Sequence, residues 1–148
     1  EGKLKAVITQ NIDGLHQAAG SKEVLELHGS VLRNHCTRCG RFYGLDDILK
    51  MKGVPKCGCG GVIKPDVVLY EEGLDNEVIE RSIAHIRKAD MLIIGGTSLV
   101  VYPAAGLIDY YHGNKLVLIN KSATSRDGQA DLVISDSIGK VLGDAVGV

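Results

Sequence analysis

The chain has 148 residues, enough for one domain with a hydrophobic core and too few for two large ones. Apolar residues make up 45% and charged residues 24%, and the net charge of -1 gives no reason to expect a nucleic-acid or membrane partner. No apolar run approaches the roughly 18 residues that span a bilayer, and no signal peptide opens the sequence. These features predict a cytoplasmic protein.

Five short apolar runs are the strand candidates in chain order. Most are apolar on both faces, which is typical of strands that are covered by helices on each side. The runs are residues 6–8, 24–27, 91–94, 115–119 and 132–134.

Three helices are predicted between or after these strands, at residues 75–89, 103–111 and 138–146. In the first, isoleucines recur at a helical spacing and Asp75 stands where an N-cap is expected. The second begins at Pro103, because proline is favoured at the first helical position. Strands that are separated by helices predict an α/β fold with a parallel sheet.

All four cysteines lie in one stretch, residues 33–65, that interrupts this alternation. Cys36 and Cys39 form one close pair and Cys57 and Cys59 another, a spacing close to that of four-thiolate zinc sites. The second pair has one intervening residue where two are usual, and neighbouring glycines could accommodate the tighter turn. Those glycines are Gly58, Gly60 and Gly61. Four protein ligands close the site, so we expect a structural zinc ion in a small inserted module; four reduced thiols that merely pack are the alternative.

The same stretch is rich in basic residues, so a zinc ribbon that binds nucleic acid is the alternative function. That function would require strongly salt-dependent binding. Only two aromatic residues accompany these basic residues. A basic surface that faces solvent explains the charges more simply than a nucleic-acid site does. The basic residues include Arg33, Arg38, Arg41, Lys50, Lys52 and Lys56.

Polar and glycine residues follow four of the predicted strands, where open parallel sheets bind ligands. They are Gln10, Asn11, Asp13, His28, Gly96, Thr97, Ser98 and Asn120. The first three could instead cap a short helix after Gly14, and a strand-end histidine is more often structural than catalytic. His28 is nevertheless the one candidate able to take a proton near neutral pH.

The order and spacing of six motifs resemble the sirtuin family of NAD-dependent protein-lysine deacylases. The motifs are residues 9–16, residues 27–29, the four cysteines, residues 64–68, residues 96–99 and residues 119–120. The resemblance covers essentially the whole chain. It implies a Rossmann-like NAD-binding domain at residues 1–32 and 66–148, with the four-cysteine zinc module at 33–65.

The resemblance also implies roles for the first two motifs. Asp13 holds the nicotinamide carboxamide, and Gln10 and Asn11 order the ribose end. The acyl-lysine oxygen attacks the ribose C1′ as nicotinamide leaves. His28, the general base, then activates a ribose hydroxyl that attacks the resulting imidate. The products are free lysine, nicotinamide and O-acyl-ADP-ribose.

Further roles follow from the same resemblance. Gly96, Thr97 and Ser98 lie against the phosphate and ribose region of NAD, and Asn120 lies against its adenine-side ribose. The acyl-lysine protein substrate adds as a strand along one segment by backbone pairing. That segment is Val67, Val68, Leu69 and Tyr70. Sirtuins usually show Phe-Gly-Glu at its end. Here Tyr70-Glu71-Glu72 stands in its place, and Tyr70 is expected to keep the packing role.

A complete sirtuin opens with a strand and a Gly-Ala-Gly phosphate turn, and nothing before Gln10 resembles them. We therefore expect a Rossmann-like parallel sheet that lacks its first, central strand, with unpaired edges on the strands at residues 6–8 and 91–94. We expect little or no deacylase activity from the chain alone, unless another chain supplies the missing segment. A non-catalytic NAD- or ADP-ribose-binding module is the remaining alternative.

Overall fold

The computed structural model describes residues 2–147, which form two compact units, one ending at Arg81 and the next beginning at Ser82. Both are built from short strands and helices, and each contains parallel strands, so the predicted α/β class is confirmed. The predicted domain boundaries, which set residues 33–65 apart, stay a prediction. None of the helices within residues 2–147 is both long and apolar enough to cross a membrane.

The first unit opens with two parallel strands. Strand β1 (Val7–Thr9) pairs with β2 (Val24–Glu26), and helix α1 (Leu15–Ala18) lies between them in the chain. Both strands lie within one residue of their predicted positions. Leu25 on β2 is buried, whereas most other side chains of the pair are half-buried.

An antiparallel sheet of three strands follows in the same unit. Its order is β4 (Phe42–Gly44), β3 (Gly29–Cys36) and β5 (Ile63–Val67), and helix α2 (Leu45–Leu49) follows β4 directly. None of these elements is predicted from the sequence. The hydrophobic core beside this sheet is small, and the half-buried side chains of Tyr43, Ile48 and Met51 pack against it. The buried residues of this core are Cys36, Cys57 and Ile63.

Helix α3 (Asn76–Lys88) has the N-cap that the sequence predicts. Asp75 Oδ1 accepts hydrogen bonds from the backbone N–H groups of Glu77 and Val78, at 2.8 and 3.3 Å, which satisfies donors that the first helical turn leaves unpaired. The isoleucine stripe is confirmed at Ile86, which is buried.

The second unit contains a parallel sheet in the order β6 (Leu92–Gly95), β7 (Leu116–Ile119) and β8 (Leu132–Ile134), followed by helix α4 (Ile138–Val146). These elements match their predictions closely. The helix predicted at 103–111 is a 3₁₀ helix over Ala104–Tyr110. Gly106 disfavours an α-helix there, and the buried side chains of Leu107 and Ile108 anchor the segment instead.

The parallel strands belong to two separate sheets, as expected for a sheet without its central strand. Strand β1 pairs only with β2, and β6 pairs only with β7, among residues 2–147. The expected unpaired edges are therefore confirmed for the described part of the chain.

Candidate functional site

His28 lies in the tight link between β2 and β3. The next residue, Gly29, has a backbone φ of 72°, which favours glycine, and a Cβ there would lie 1.9 Å from the carbonyl oxygen of Asp66. Only a residue without a side chain lets β3 approach β5 this closely. Gly29 thus fixes the course of the backbone next to His28.

The imidazole of His28 is held in one orientation by a backbone carbonyl. Its Nδ1 lies 3.1 Å from the carbonyl oxygen of Gln10, just past the end of β1. A carbonyl oxygen only accepts hydrogen bonds, so Nδ1 carries the proton and the lone pair is on Nε2. The half-buried ring therefore presents Nε2 as a proton acceptor.

The segment predicted to bind peptide adjoins His28 through the main chain. The N–H of Val68 donates to the carbonyl oxygen of His28 at 3.1 Å, directly after Val67 ends its pairing with Gly29. Beyond this point Leu69 is 54% exposed and Tyr70 is fully exposed. The Tyr70 side chain packs against no other residue of the first unit, and its expected packing role stays a prediction.

Asn11 and Asp13 follow β1 on the exposed surface of the first unit. Asp13 Oδ1 accepts a hydrogen bond from the N–H of Leu15 at 3.0 Å, at the start of helix α1, whose N-cap position is occupied by Gly14 without a side-chain cap. The N–H of Asn11 donates to Thr9 Oγ1 at 3.0 Å. The first motif is thus a folded turn that presents the Gln10 carbonyl to His28.

The four cysteines come together at one end of the first unit. Their sulfur atoms all lie within 4.8 Å of one another, with 3.5 Å between Cys36 and Cys59 and 3.6 Å between Cys39 and Cys57. A tetrahedral zinc ion with Zn–S bonds of about 2.3 Å holds its sulfurs about 3.8 Å apart. The donor set and its dimensions therefore fit zinc.

The surroundings of Cys36 and Cys57 favour thiolates, whereas at Cys59 the hydrogen bond from the Gly61 N–H is outweighed by those with the other cysteines, which raise the pKa of Cys59 to about 12. The backbone N–H of Cys59 and then the hydroxyl of Tyr43 hydrogen-bond the sulfur of Cys57 and lower its pKa to about 6. A Cβ on Gly61 would lie 2.6 Å from the sulfur of Cys36, so close packing against the first pair requires a glycine there, and Gly60, directly after the second pair, has a φ of 85° that favours glycine. Gly58 has open space around it, and the tight turn does not require glycine at that position.

The arginines of this region are engaged within the first unit. Arg33 Nη1 donates to Glu26 at 2.7 Å and its Nε to Asp66 at 3.1 Å, while Arg38 donates to the carbonyl oxygen of Cys59 at 2.8 Å. Guanidinium groups committed to such contacts are poor candidates for a phosphate-binding face. This geometry weighs against the nucleic-acid alternative.

In the second unit, the predicted residues after β6 and β7 lie together. The carboxamide of Asn120 accepts from the N–H of Thr97 at 3.1 Å and donates to its carbonyl oxygen. Gly96 has a φ of 65°, which turns the chain after the strand. With Ser98 these residues line a cleft of about 530 Å³. Asn120 thus shapes the wall of the cleft by bonding to the backbone.

Several other residues of this cleft escape the sequence analysis. Asp136 and Ser137 lie just after β8, so their place at the end of the last strand is the sequence signal that marks them. Lys140 and then the N–H of Ser137 lower the pKa of Asp136, which keeps a negative charge at the cleft. The lining residues that were not predicted include Lys121, Ser122, Thr124, Asp136, Ser137 and Gly139.

Comparison with known proteins accounts for this set of motifs. A sequence model of the Sir2 family matches residues 1–103. The chain belongs to the Sir2 family. It is 70% identical over 147 residues to an NAD-dependent protein deacetylase of Clostridium perfringens and 67% identical over 144 residues to one of Clostridium acetobutylicum. These matches cover 98% and 96% of the chain but 60% and 59% of the relatives, so the chain spans about three fifths of their length.

Solved Sir2 structures share the fold. A Sir2 complex with the inhibitor EX-527, 2′-O-acetyl-ADP-ribose and a deacetylated p53 peptide superposes with a TM-score of 0.87 at 40% identity, covering 97% of this chain and 65% of that one. A Sir2 complex with a p53 peptide and NAD⁺ gives 0.87 at 39% identity, covering 97% and 64%. A Sir2 protein bound to a propionylated peptide gives 0.90 at 38% identity, covering 99% and 65%.

Proposed function

We propose that the protein removes acyl groups from protein lysines and consumes NAD in doing so. The single observation that carries the proposal is the orientation of His28. Its Nδ1 is committed to the Gln10 carbonyl, which leaves Nε2 to accept a proton. The same residue is joined through its carbonyl oxygen to Val68, beside the segment proposed to bind the acyl-lysine protein substrate. The names of the Clostridium relatives support this assignment.

NAD-binding roles are proposed for residues of each unit taken separately. Gln10, Asn11 and Asp13 serve the nicotinamide and ribose end. In the second unit, the cleft beside Asn120 combines glycine, hydroxyl and amide groups with the turn at 96–98, a composition that suits a polar ligand with phosphate and ribose groups. When bound, NAD supplies the ribose that receives the acyl group, so that nicotinamide, the free lysine and O-acyl-ADP-ribose are released with the uptake of one water molecule. His28 takes the proton from a ribose hydroxyl in that transfer.

The zinc ion is proposed to be structural. Cys36, Cys39, Cys57 and Cys59 would fill all four positions of a tetrahedron, leaving no position for a substrate or water. The role of the ion is to hold the C-terminal end of β3, at Cys36, against the turn at residues 57–59. The nearby core contributes only three buried residues, which is too little to fix this region without a cross-link.

The first prediction tests this function on the full-length protein. Nicotinamide release is measured with NAD and an acetyl-lysine peptide for the wild type, His28→Ala and His112→Ala. Loss of a general base lowers turnover by about 10²- to 10⁴-fold. We expect that loss for His28→Ala, whereas His112, exposed in the second unit, serves as the matched control.

NAD affinity, measured by calorimetry on the same variants, separates catalysis from binding alone. We expect His28→Ala to keep its affinity for NAD while losing turnover. A wild-type protein that binds NAD without releasing nicotinamide would instead favour the non-catalytic binding module. The inactivity of the 148-residue chain alone stays a prediction, which substantial turnover by that chain would contradict.

A further inference from the structure

The side chains of Lys64 and Glu72 hold the segment from Val67 to Glu72 in a turn by hydrogen bonds to its backbone and to each other. Lys64 Nζ donates to the carbonyl oxygen of Val67 at 3.1 Å and to Glu72 Oε2 at 2.9 Å. The same carboxylate oxygen accepts from the N–H of Leu69 at 2.9 Å, and the N–H of Glu72 donates back to the carbonyl oxygen of Leu69 at 3.1 Å. The Lys64–Glu72 pair therefore fixes both ends of a short turn.

The turn is attached to His28 at its first residue. The N–H of Val68 donates to the carbonyl oxygen of His28, and Val67 is the last residue of β5. Any change in the course of residues 67–69 is thus transmitted to the backbone that carries the imidazole.

These bonds leave a defined stretch of backbone for a partner strand. The backbone N–H groups of Val68, Leu69 and Glu72 and the carbonyl oxygens of Val67 and Leu69 are already bonded. Tyr70 and Glu71, in contrast, make no backbone hydrogen bond within residues 2–81, and both are exposed. Glu71 has a φ of 70°, an unusual conformation for a residue with a side chain, which the bonds on either side of it hold in place.

We propose that Lys64 and Glu72 are positioning residues for the acyl-lysine peptide, since together they hold the turn that carries the segment Val67–Tyr70 beside His28. The proposal rests on the deacylase function proposed above. A loop that is already ordered loses less conformational entropy on binding, so the pair raises peptide affinity without touching the peptide. The Leu69 N–H and then Lys64 also lower the pKa of Glu72, so the ion pair persists across the neutral range.

The test compares variants of the full-length protein in steady-state kinetics with an acetyl-lysine peptide. Glu72→Ala and Lys64→Met are each expected to raise KM for the peptide by about fivefold or more, the effect of losing roughly one such bond. KM for NAD is expected to stay unchanged. Glu72→Gln, whose amide oxygen still accepts from Leu69, is expected to fall between the wild type and Glu72→Ala.

The double variant Lys64→Met/Glu72→Ala provides a second readout. Because the two side chains act through one network, its KM for the peptide is expected to match that of the single variants and not their product. Glu77→Gln is the control, since it removes another carboxylate of the first unit, 81% exposed and 4.0 Å from Arg81.

Two outcomes would overturn the inference while leaving the deacylase function intact. One is an active Glu72→Ala variant whose KM for the peptide equals that of the wild type. The other is an equal rise in KM for NAD and for the peptide, accompanied by a lower melting temperature, which indicates a structural role alone. If the wild type releases no nicotinamide, the proposed function itself fails, and this inference fails with it.

Discussion

Gly29 and Gly20 are both glycines with positive φ in the first unit, at 72° and 89°, but their surroundings differ. At Gly29 the space for a side chain is occupied by the backbone of Asp66, whereas nothing lies within 4 Å of the position at Gly20. The two residues therefore separate the effect of backbone conformation from that of close strand packing. Gly29 is also the first residue of β3 to pair with β5, beside His28.

This contrast gives the third prediction, after those for His28 and for the Lys64–Glu72 pair. Gly20→Ala is expected to cost about 1 kcal/mol of unfolding free energy, the ordinary penalty of a positive φ. Gly29→Ala is expected to cost several kcal/mol more, because β3 and β5 must move apart. Urea denaturation of the two variants measures the difference. Equal midpoints would show that β3 and β5 separate at little cost.

Single residues show which features of the candidate site can be predicted from sequence patterns and which cannot. His28 stands out from sequence because it ends a strand and is the candidate able to take a proton there. The exposure of Tyr70 could not be foreseen, because it depends on the turn that Glu72 closes, and a pair such as Lys64 and Glu72 leaves no periodic signal. Asn120 is predicted to meet the ribose, but its bonds to the Thr97 backbone become visible only in three dimensions.

At the next scale, helix α4 begins with a local charge pair. Lys140 Nζ donates to Asp136 Oδ2 at 2.6 Å, and Ser137 caps the helix by accepting from the N–H of Lys140. Lys140 is the main cause of the lowered pKa of Asp136. A carboxyl whose pKa is lower in the folded state stabilises the fold above its unfolded pKa, and that stabilisation is lost as pH falls through the folded value.

The fourth prediction follows from the lowered pKa of Asp136. Lys140→Met is expected to lower the unfolding free energy at pH 7, and the difference from the wild type should vanish as the solution is acidified below about pH 4. Denaturant titrations across this pH range measure it, with Lys115→Met as a control that lies outside the pair. A deficit in Lys140→Met that persists unchanged into acid would mean that packing, and not charge, is responsible.

The strands of the antiparallel sheet were missed for a physical reason. Prediction of a half-buried strand depends on alternating apolar and polar residues, but the buried positions of β3 include Ser30 and Asn34. Both polar side chains are satisfied locally, by the N–H of Leu32 and the carbonyl oxygen of Val31. A pairing irregularity between them further disrupts the period of two. The parallel strands carry no such run of buried polar residues and were predicted within one residue.

At the scale of the whole molecule, the division of the parallel strands into two sheets was predictable because the resemblance specifies which strand lies between them. The position of the unit boundary at Arg81 was not, since no linker composition marks it and helix α3 runs through it. The cysteine cluster was predictable from spacing alone. The need for glycine at position 61 was not predictable, because Gly61 is distinguished from Gly58 only by the atoms around it, which include the sulfur of Cys36.

The fifth prediction concerns removal of the metal from the full-length protein. We expect one zinc ion per chain by atomic absorption, and we expect a strong chelator to disorder the antiparallel sheet, because β3 ends at the proposed ligand Cys36. Since β3 begins beside His28, deacylase activity should fall with the zinc content. Cys57→Ser should reproduce the effect. Full activity in a zinc-free preparation would contradict this coupling.

Strand β6 pairs on one side only within residues 2–147, and Ile93 near its middle is 45% exposed. A row of unpaired backbone groups beside an apolar side chain is a template for the addition of another strand, including one from a second copy of the chain. The solution behaviour of the 148-residue chain should therefore depend on its concentration, with self-association that charged residues at this edge would suppress. In practical terms, an Ile93→Lys substitution should keep the chain monodisperse at the concentrations that structural work requires.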